Sequence, residues 1–232
     1  MVEQSAATSH DTFDRAGLAA ASLPASVQFD PLAALERIGT RRRVTRDTAI
    51  YAEGDPSDSW YKVAAGTVRL SKLLADGRRH VAEFCFDGDC FGFDNTAERV
   101  FSADAVGDVI VIRYSRRATD RLIDEMPQLA RHLCDMVLRD LAHAQTRMLL
   151  LSRMTAPERV VSFVLEMSER GETKRAIEVP MSRTDIADYL GLTIETVCRV
   201  LSSFKREGAI AIPNPHRIEL CDRSALEAVG DP

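Results

Sequence analysis

Apolar positions follow two regimes along the chain. Between Thr48 and Ile112 they alternate with polar residues over short runs cut by Gly and Asp, whereas beyond Ser115 they recur every three or four positions. The first is the period of strands and the second that of helices. In the strand regime Tyr61 and Val63, then Val68 and Leu70, alternate around Gly66, and Asp76-Gly77 is a hairpin signal between Leu70–Leu74 and Val81–Phe86. Several strands at that spacing make a small barrel or sandwich. A short helix from Pro31 to Ile38 precedes them. Residues 1–28, rich in Ala and Ser with almost no apolar period, are expected to form a mobile or loosely docked arm.

One long helical region is expected from about Ser115 to Met154. Within it Ala130, Cys134, Val137, Leu141, Ala144, Met148 and Leu151 alternate steps of four and three without a break, the heptad seam of a coiled coil. Leu133, Met136 and Leu150 are left to pack on the strands. A parallel homodimer through the seam is the favoured reading; the alternative folds the seam onto the chain's own strands. Thr155-Ala156-Pro157 marks a hinge, after which Val160, Phe163, Val164 and Met167 line one side of a helix from Glu158 to Arg170 that stops at Gly171. Ser182 then caps a helix with Asp185 as its acidic partner, Ile186, Ala187 and Leu190 form its apolar stripe, and Gly191 breaks it. Thr193 opens the next helix, whose Val197, Val200, Leu201 and Phe204 stand at i, i+3, i+4, i+7. Ala209–Ile212 and Arg217–Leu220 around Pro213-Asn214-Pro215-His216 read as a two-stranded wing, with His216 contacting backbone. Supporting helix, helix-turn-helix and wing together predict a winged-helix domain over residues 155–232.

The outer face of the last of these helices carries Ile194, Glu195, Cys198, Arg199 and Ser202, a mixture suited to base edges in a major groove. An Arg bonds bidentately to guanine, a Glu accepts from the amino group of cytosine, and an aliphatic group touches a thymine methyl. Glu195 and Arg199 stand one turn apart, so a plain i, i+4 ion pair on a solvated face, worth roughly 0.2–0.5 kcal/mol, is the competing reading. Bulk charge does not decide, because the net charge is −5 and the basic residues around this helix are nearly balanced by acids. Arg41, Arg42, Arg43 and Arg46 read as a solvated strand start. At 232 residues, 45% hydrophobic and 28% charged, the chain is an ordinary globular one with room for one large or two modest domains. No apolar run approaches the ~20 residues of a membrane span, and no Lys or Arg precedes Arg15 to open a signal peptide, so no membrane partner and a cytoplasmic location are expected. Cys85, Cys90, Cys134, Cys198 and Cys221 are odd in number and lack zinc spacing, which predicts free thiols in a reducing compartment. Cys85 and Cys90 are read as buried strand thiols. Cys198, beside Arg199 near a helix start, is predicted to be open to oxidants, the alternative being a thiol shielded by packing.

The run YLGLTIETVCRVLSSFKREGAI resembles the DNA-binding signature of the Crp/Fnr superfamily of bacterial transcription regulators, and within it is most similar to the FixK-type branch. Cys198 stands where that signature more often has Ser. The resemblance implies an α+β fold: an N-terminal cyclic-nucleotide-binding-like β-roll over residues 29–114, a dimerisation helix region over 115–154 and the winged helix-turn-helix domain over 155–232. It further implies a homodimeric regulator, an activator, reading a near-palindrome of the form TTGAT, four bases, ATCAA. Glu195 and Arg199 would be the principal base readers with Ile194 and Cys198 beside them, and Ser182, Arg183, Thr184, Thr193 and Thr196 the phosphate contacts. RNA polymerase is the implied second partner. The glycines of Gly54-Asp55-Pro56, Gly66, Gly77 and Gly88-Asp89-Cys90-Phe91-Gly92 resemble the turn framework of the superfamily's cyclic-nucleotide roll. Its phosphate-holding Glu is replaced here by Phe93 and its Arg-Ser pair by Phe101-Ser102, with Arg99 as the one nearby substitute. An unpaired phosphate away from water costs several kcal/mol, so a dismantled ligand site is expected. No Cys precedes Cys85, which speaks against an Fnr-type iron–sulfur cluster, and no cofactor is expected. Two alternatives remain: a regulator gated by a cyclic nucleotide, and a cupin-like metal enzyme, for which His80 stands alone on its strand.

Overall fold

The computed structural model describes residues 31–171, 173 and 175–230, and of residues 31–32 and 149–151 the backbone alone. The arm expected over residues 1–28 lies outside them. Helix α1 (Pro31–Ile38) leads into eight strands: β1 (Thr40–Val44), β2 (Ala49–Tyr51), β3 (Ser59–Ala65), β4 (Val68–Leu73), β5 (Arg79–Cys85), β6 (Cys90–Phe91), β7 (Ser102–Ala105) and β8 (Val109–Ser115). They form two antiparallel four-stranded sheets, ordered β1-β8-β3-β6 and β2-β7-β4-β5. One apolar core joins them, because the inward positions of the alternating runs, among them Val63, Val68, Ala103 and Val111, are fully buried together. The Asp76-Gly77 signal is a tight hairpin: Leu74 N–H donates to Arg78 O at 2.8 Å, and Gly77 takes φ 82°, open to glycine without a side-chain clash. The basic run Arg41–Arg43 is an exposed edge strand.

The helical region consists of two helices, the second of them long. Helix α2 (Arg116–Glu125) ends at Met126, whose φ −144° and ψ 81° leave the helix, and α3 (Pro127–Arg153) starts afresh. Proline at the first position is tolerated, while the residue before it is driven out of the helical region. Leu129 and Leu133 of α3 are buried against Trp60, Tyr114 and Leu35, with Met136 half-buried beside them. Trp60 anchors this layer, stacking on Tyr114 at 4.1 Å between ring centres and donating from Nε1 to Thr119 Oγ1 at 3.0 Å. An adjoining face of α3, about a quarter turn round from the buried one, leaves Val137, Leu141 and Met148 exposed at 40%, 50% and 66%. Leu150 and Leu151 have side chains outside the described set. Among the described residues no helix is long and apolar enough to cross a membrane.

Beyond the hinge lie α4 (Ala156–Arg170), β9 (Ala176–Glu178), α5 (Arg183–Leu190), α6 (Ile194–Arg206), β10 (Ile210–Asn214), β11 (Arg217–Leu220) and α7 (Arg223–Gly230). Thr155 starts α4 with a capping box, its N–H donating to Glu158 Oε2 at 2.6 Å. The wing has three strands rather than two, in the order β10-β11-β9, with Ile218 facing Ile177. Strand β9 escaped the periodic reading because three residues carry too little alternation. Helix α7, capped where Asp222 Oδ1 accepts from Ala225 N–H at 3.0 Å, buries Leu226 and packs on α4; it too went unread. The apolar cluster of this half also takes in Val81, Phe84 and Val106 of the strand layers, so one continuous core crosses the hinge.

Candidate nucleic-acid interface

Helix α5 begins where the capping chemistry directs it. Ser182 is extended at φ −71°, ψ 164°; its Oγ accepts from Asp185 N–H at 3.1 Å, while its own N–H donates to Asp185 Oδ2 at 3.0 Å. Ile186, Ala187 and Leu190 are buried, and Gly191 ends the helix at φ 63°, ψ 38°, a left-handed C-cap. Thr193 Oγ1 accepts from Thr196 N–H at 3.3 Å to start α6, and Val197, Val200, Leu201 and Phe204 face inward. The turn is held from behind by Arg159 of α4, which donates from Nη1 to Leu190 O at 3.1 Å.

With that stripe buried, the remaining face of α6 is solvent-facing: Ile194, Glu195, Cys198, Arg199 and Ser202 are all exposed. Among the described residues no ion pair joins Glu195 to Arg199. Arg199 instead donates from Nη2 to Thr196 Oγ1 at a long 3.4 Å, leaving most of its fork open. The N–H of Glu195's own backbone, with help from the Thr193 hydroxyl, holds its carboxyl below the usual carboxylate range, so it stays an acceptor at neutral pH. Of the expected phosphate contacts, Ser182, Thr184 and Thr193 are exposed and Arg183 and Thr196 half-buried. Arg183 lies near Cys198; burial pulls its pKa down, Cys198 acts in the opposite direction, and its buried Nη1 has no hydrogen-bond partner among the described residues. The five cysteines are unpaired: burial pushes Cys85 well up and Cys90 up to about 12, whereas Cys134, Cys198 and Cys221 are exposed. His216 touches backbone as expected, its Nδ1 lying 3.0 Å from Val179 O.

Sequence periodicity missed the partners of Asp185. Its Oδ1 accepts from Arg69 Nη1 of β4 and from Arg79 Nη2 of β5, both at 2.6 Å, and Arg79 also donates from Nε to Asp188 Oδ2 at 2.8 Å. These residues lie more than a hundred positions apart, and no local pattern brings them together. Tyr189 packs at a tilt on Phe84 of β5, 5.1 Å between ring centres, and lies 4.9 Å beneath the guanidinium of Arg147 of α3.

In the β-sheet layers, Phe93 packs on Trp60 at 4.9 Å between ring centres, as a core aromatic. Arg99 is consumed internally: Nη1 donates to Gly92 O at 2.9 Å and to Asp94 at 3.0 Å, and its guanidinium lies 4.2 Å over the Tyr51 ring. Ser102 Oγ accepts from Glu53 N–H at 2.9 Å. Among the described residues no group of three His, Cys, Asp or Glu is placed to hold a metal.

A family model described as a Crp-like helix-turn-helix domain matches residues 158–229, and one described as a cyclic nucleotide-binding domain matches residues 41–126. The chain is 39% identical over 208 residues to the nitrogen fixation regulation protein FixK of Bradyrhizobium diazoefficiens, a match covering 88% of this chain and 87% of that one. It is 36% identical to the FixK protein of Rhizobium meliloti, over 91% and 98% of the two chains, and 38% identical to the transcriptional activatory protein AadR of Rhodopseudomonas palustris, over 84% and 82%. The solved structure of FixK2 from Bradyrhizobium japonicum superimposes with a TM-score of 0.80 at 38% identity, covering 84% of this chain and 98% of that one.

Proposed function

The chain belongs to the Crp/Fnr family of transcription regulators, on its FixK-like side, and from that premise we propose that it is a cytoplasmic homodimer that reads a TTGAT, four-base spacer, ATCAA palindrome and activates transcription with RNA polymerase. Its relatives are DNA-binding regulators rather than enzymes, which leaves the cupin-like alternative without support. The observation that carries the reading is the face of α6, where Glu195 and Arg199 stand exposed and not ion-paired to each other on a helix whose other side is locked into the core. In each half-site Arg199 takes the guanine and Glu195 the amino group of the cytosine opposite, with Ile194 and Cys198 beside them. Ser182, Arg183, Thr184, Thr193 and Thr196 hold phosphates, which positions the helix without specifying sequence.

The division of labour proposed for the chain is a β-roll over residues 29–114, a dimerisation region over 115–154, with its seam confined to α3, and a DNA-binding part over 155–232. Exposure of Val137, Leu141 and Met148 on one side of α3 supports a seam through Ala130, Cys134, Val137, Leu141, Ala144, Met148 and Leu151. Arg99, the one substitute near the missing Arg-Ser pair, is already spent on Gly92 and Asp94, which argues against a cyclic nucleotide there. Two titrations test the reading together. Anisotropy with the full palindrome and with one half scrambled should give tight binding to the first and a loss of at least about a hundredfold on the second. Calorimetry with cyclic AMP should give no binding heat; saturable binding that strengthens DNA affinity would restore the ligand-gated alternative.

A further inference from the structure

Each reading head hangs from the dimerisation region by one covalent link at the hinge, yet a palindrome with a set spacer demands that two heads be held at one distance and one rotation. An inserted base pair displaces the second half-site by about 3.4 Å along the duplex and turns it by about 35° around it. A head free on its hinge would follow that shift at little cost. The heads of this chain are not free. Asp185, its side chain 7% exposed, is gripped by Arg69 and Arg79 of the β-roll at 2.6 Å each, and Arg79 reaches on to Asp188 one turn later on the same helix. Arg69 is itself seated by Asp104 at 3.5 Å.

Arg147 provides a second tie at a different point. It leaves the same α3 that carries the proposed seam, donates from Nη1 to Ala82 O of β5 at 2.7 Å, pairs with Glu83 at 3.3 Å, and covers the ring of Tyr189 on α5. Dimer helix, β-roll and first helix of the reading head therefore meet around one side chain, and Phe84 against Tyr189 closes the gap beneath it. Two separated ties, one ionic and one aromatic, remove the rotation that a single tie would leave.

We propose that the clamp of Arg69 and Arg79 on Asp185 and Asp188 is a spacing ruler: it fixes α5, and through it α6, against the body of the dimer so that only half-sites separated by four bases are read together. This rests on the proposed dimer and palindrome. Arg69 and Arg79 act through α5 and touch no base, so they are positioning residues.

The test compares the full-length wild type with Arg79→Gln and with Arg69→Gln/Arg79→Gln on duplexes whose spacers are three, four and five bases, and on a duplex with a single half-site. Thermal melting and sedimentation of each variant establish that it folds and dimerises, and the single substitution stands in if the double one does not. Wild type should favour the four-base spacer by at least about tenfold. The variants should narrow that preference to about threefold or less, with single-half-site affinity within about twofold of wild type, and Arg79→Lys should restore part of the preference. A preference that survives intact in folded variants overturns the inference while leaving the functional reading in place. Tighter binding to the cognate site would overturn it in the other direction, since the clamp would then be holding the head away from DNA. Failure of wild type to bind any spacer would remove the palindrome reading and this inference with it.

Discussion

At the scale of single residues, three side chains of the reading head carry separable consequences. Arg199 is exposed with one weak contact to Thr196, so Arg199→Ala leaves the fold alone and removes only what the guanidinium does on DNA. The loss on the cognate site should be about 1–3 kcal/mol, with discrimination at one guanine flattened, in binding isotherms against single-base variants. A lower salt slope with discrimination intact would make Arg199 a phosphate contact. Cys198 is exposed on the same face, as a thiol open to oxidants requires. Oxidation to a sulfinic or sulfonic acid would set a negative charge among phosphates. Peroxide should therefore weaken DNA binding of wild type and spare Cys198→Ser; equal loss in both would put the sensitive group elsewhere. Asp185 is pushed up by burial, but the Ser182 hydroxyl and N–H and the charges of Arg69 and Arg79 outweigh that and hold it below the ordinary aspartate value. A carboxyl lowered by folding contributes stability above its unfolded pKa and loses it as pH falls through the folded one. The melting-temperature gap between wild type and Asp185→Asn should thus be full at pH 7 and close below about pH 4. A gap that stays constant with pH would deny Asp185 its charged role.

At the scale of elements, what could be read from the sequence was what repeats locally. Ser182, Gly191 and Thr193 mark helix ends through bonds to residues at most four positions away, and the four apolar positions of α6 need only helical period, so both helices were legible. The hairpin at Asp76-Gly77 was legible for the same reason. Strand β9 was not, since its three residues acquire their identity by pairing with β11 some forty positions later, and α7 offers only eight residues with one fully buried side chain. The break at Met126 was available in principle from Pro127, but the unbroken seam downstream masked it. That seam is tested at its centre, where Leu141 is half-exposed in the single chain. Leu141→Asp would place an unpaired charge between two helices, at a cost of several kcal/mol. Light scattering should find monomers that no longer bind the full palindrome; a persisting dimer would mean that another surface joins the subunits.

At the scale of the whole molecule, the sensor-like layers and the reading head share one core and one set of ion pairs. The apolar cluster around Val197 and Phe204 extends to Phe84 and Val106, and Arg170 of α4 pairs with Asp89 of the β5–β6 turn at 2.8 Å. None of this was legible, because every such contact joins strands to helices lying tens of residues or more than a hundred apart, and periodicity carries no signal across that distance. Phe93 in place of a phosphate-holding Glu could be read from the sequence, whereas the placement of Arg99 required knowing that its guanidinium lies over the Tyr51 ring. A roll whose Arg99 is spent internally, joined by ion pairs and a shared core to a head with an open reading face, fits the proposed regulator, whose specificity would lie in two copies of α6 held at a set separation. The most direct measurement of that claim starts from no assumed site: full-length protein selects from a pool of random duplexes, and the enriched sequences are read. The account requires a two-fold symmetric consensus with TTGAT and ATCAA separated by four bases. An asymmetric consensus, a single half-site, or no enrichment over the starting pool would contradict it.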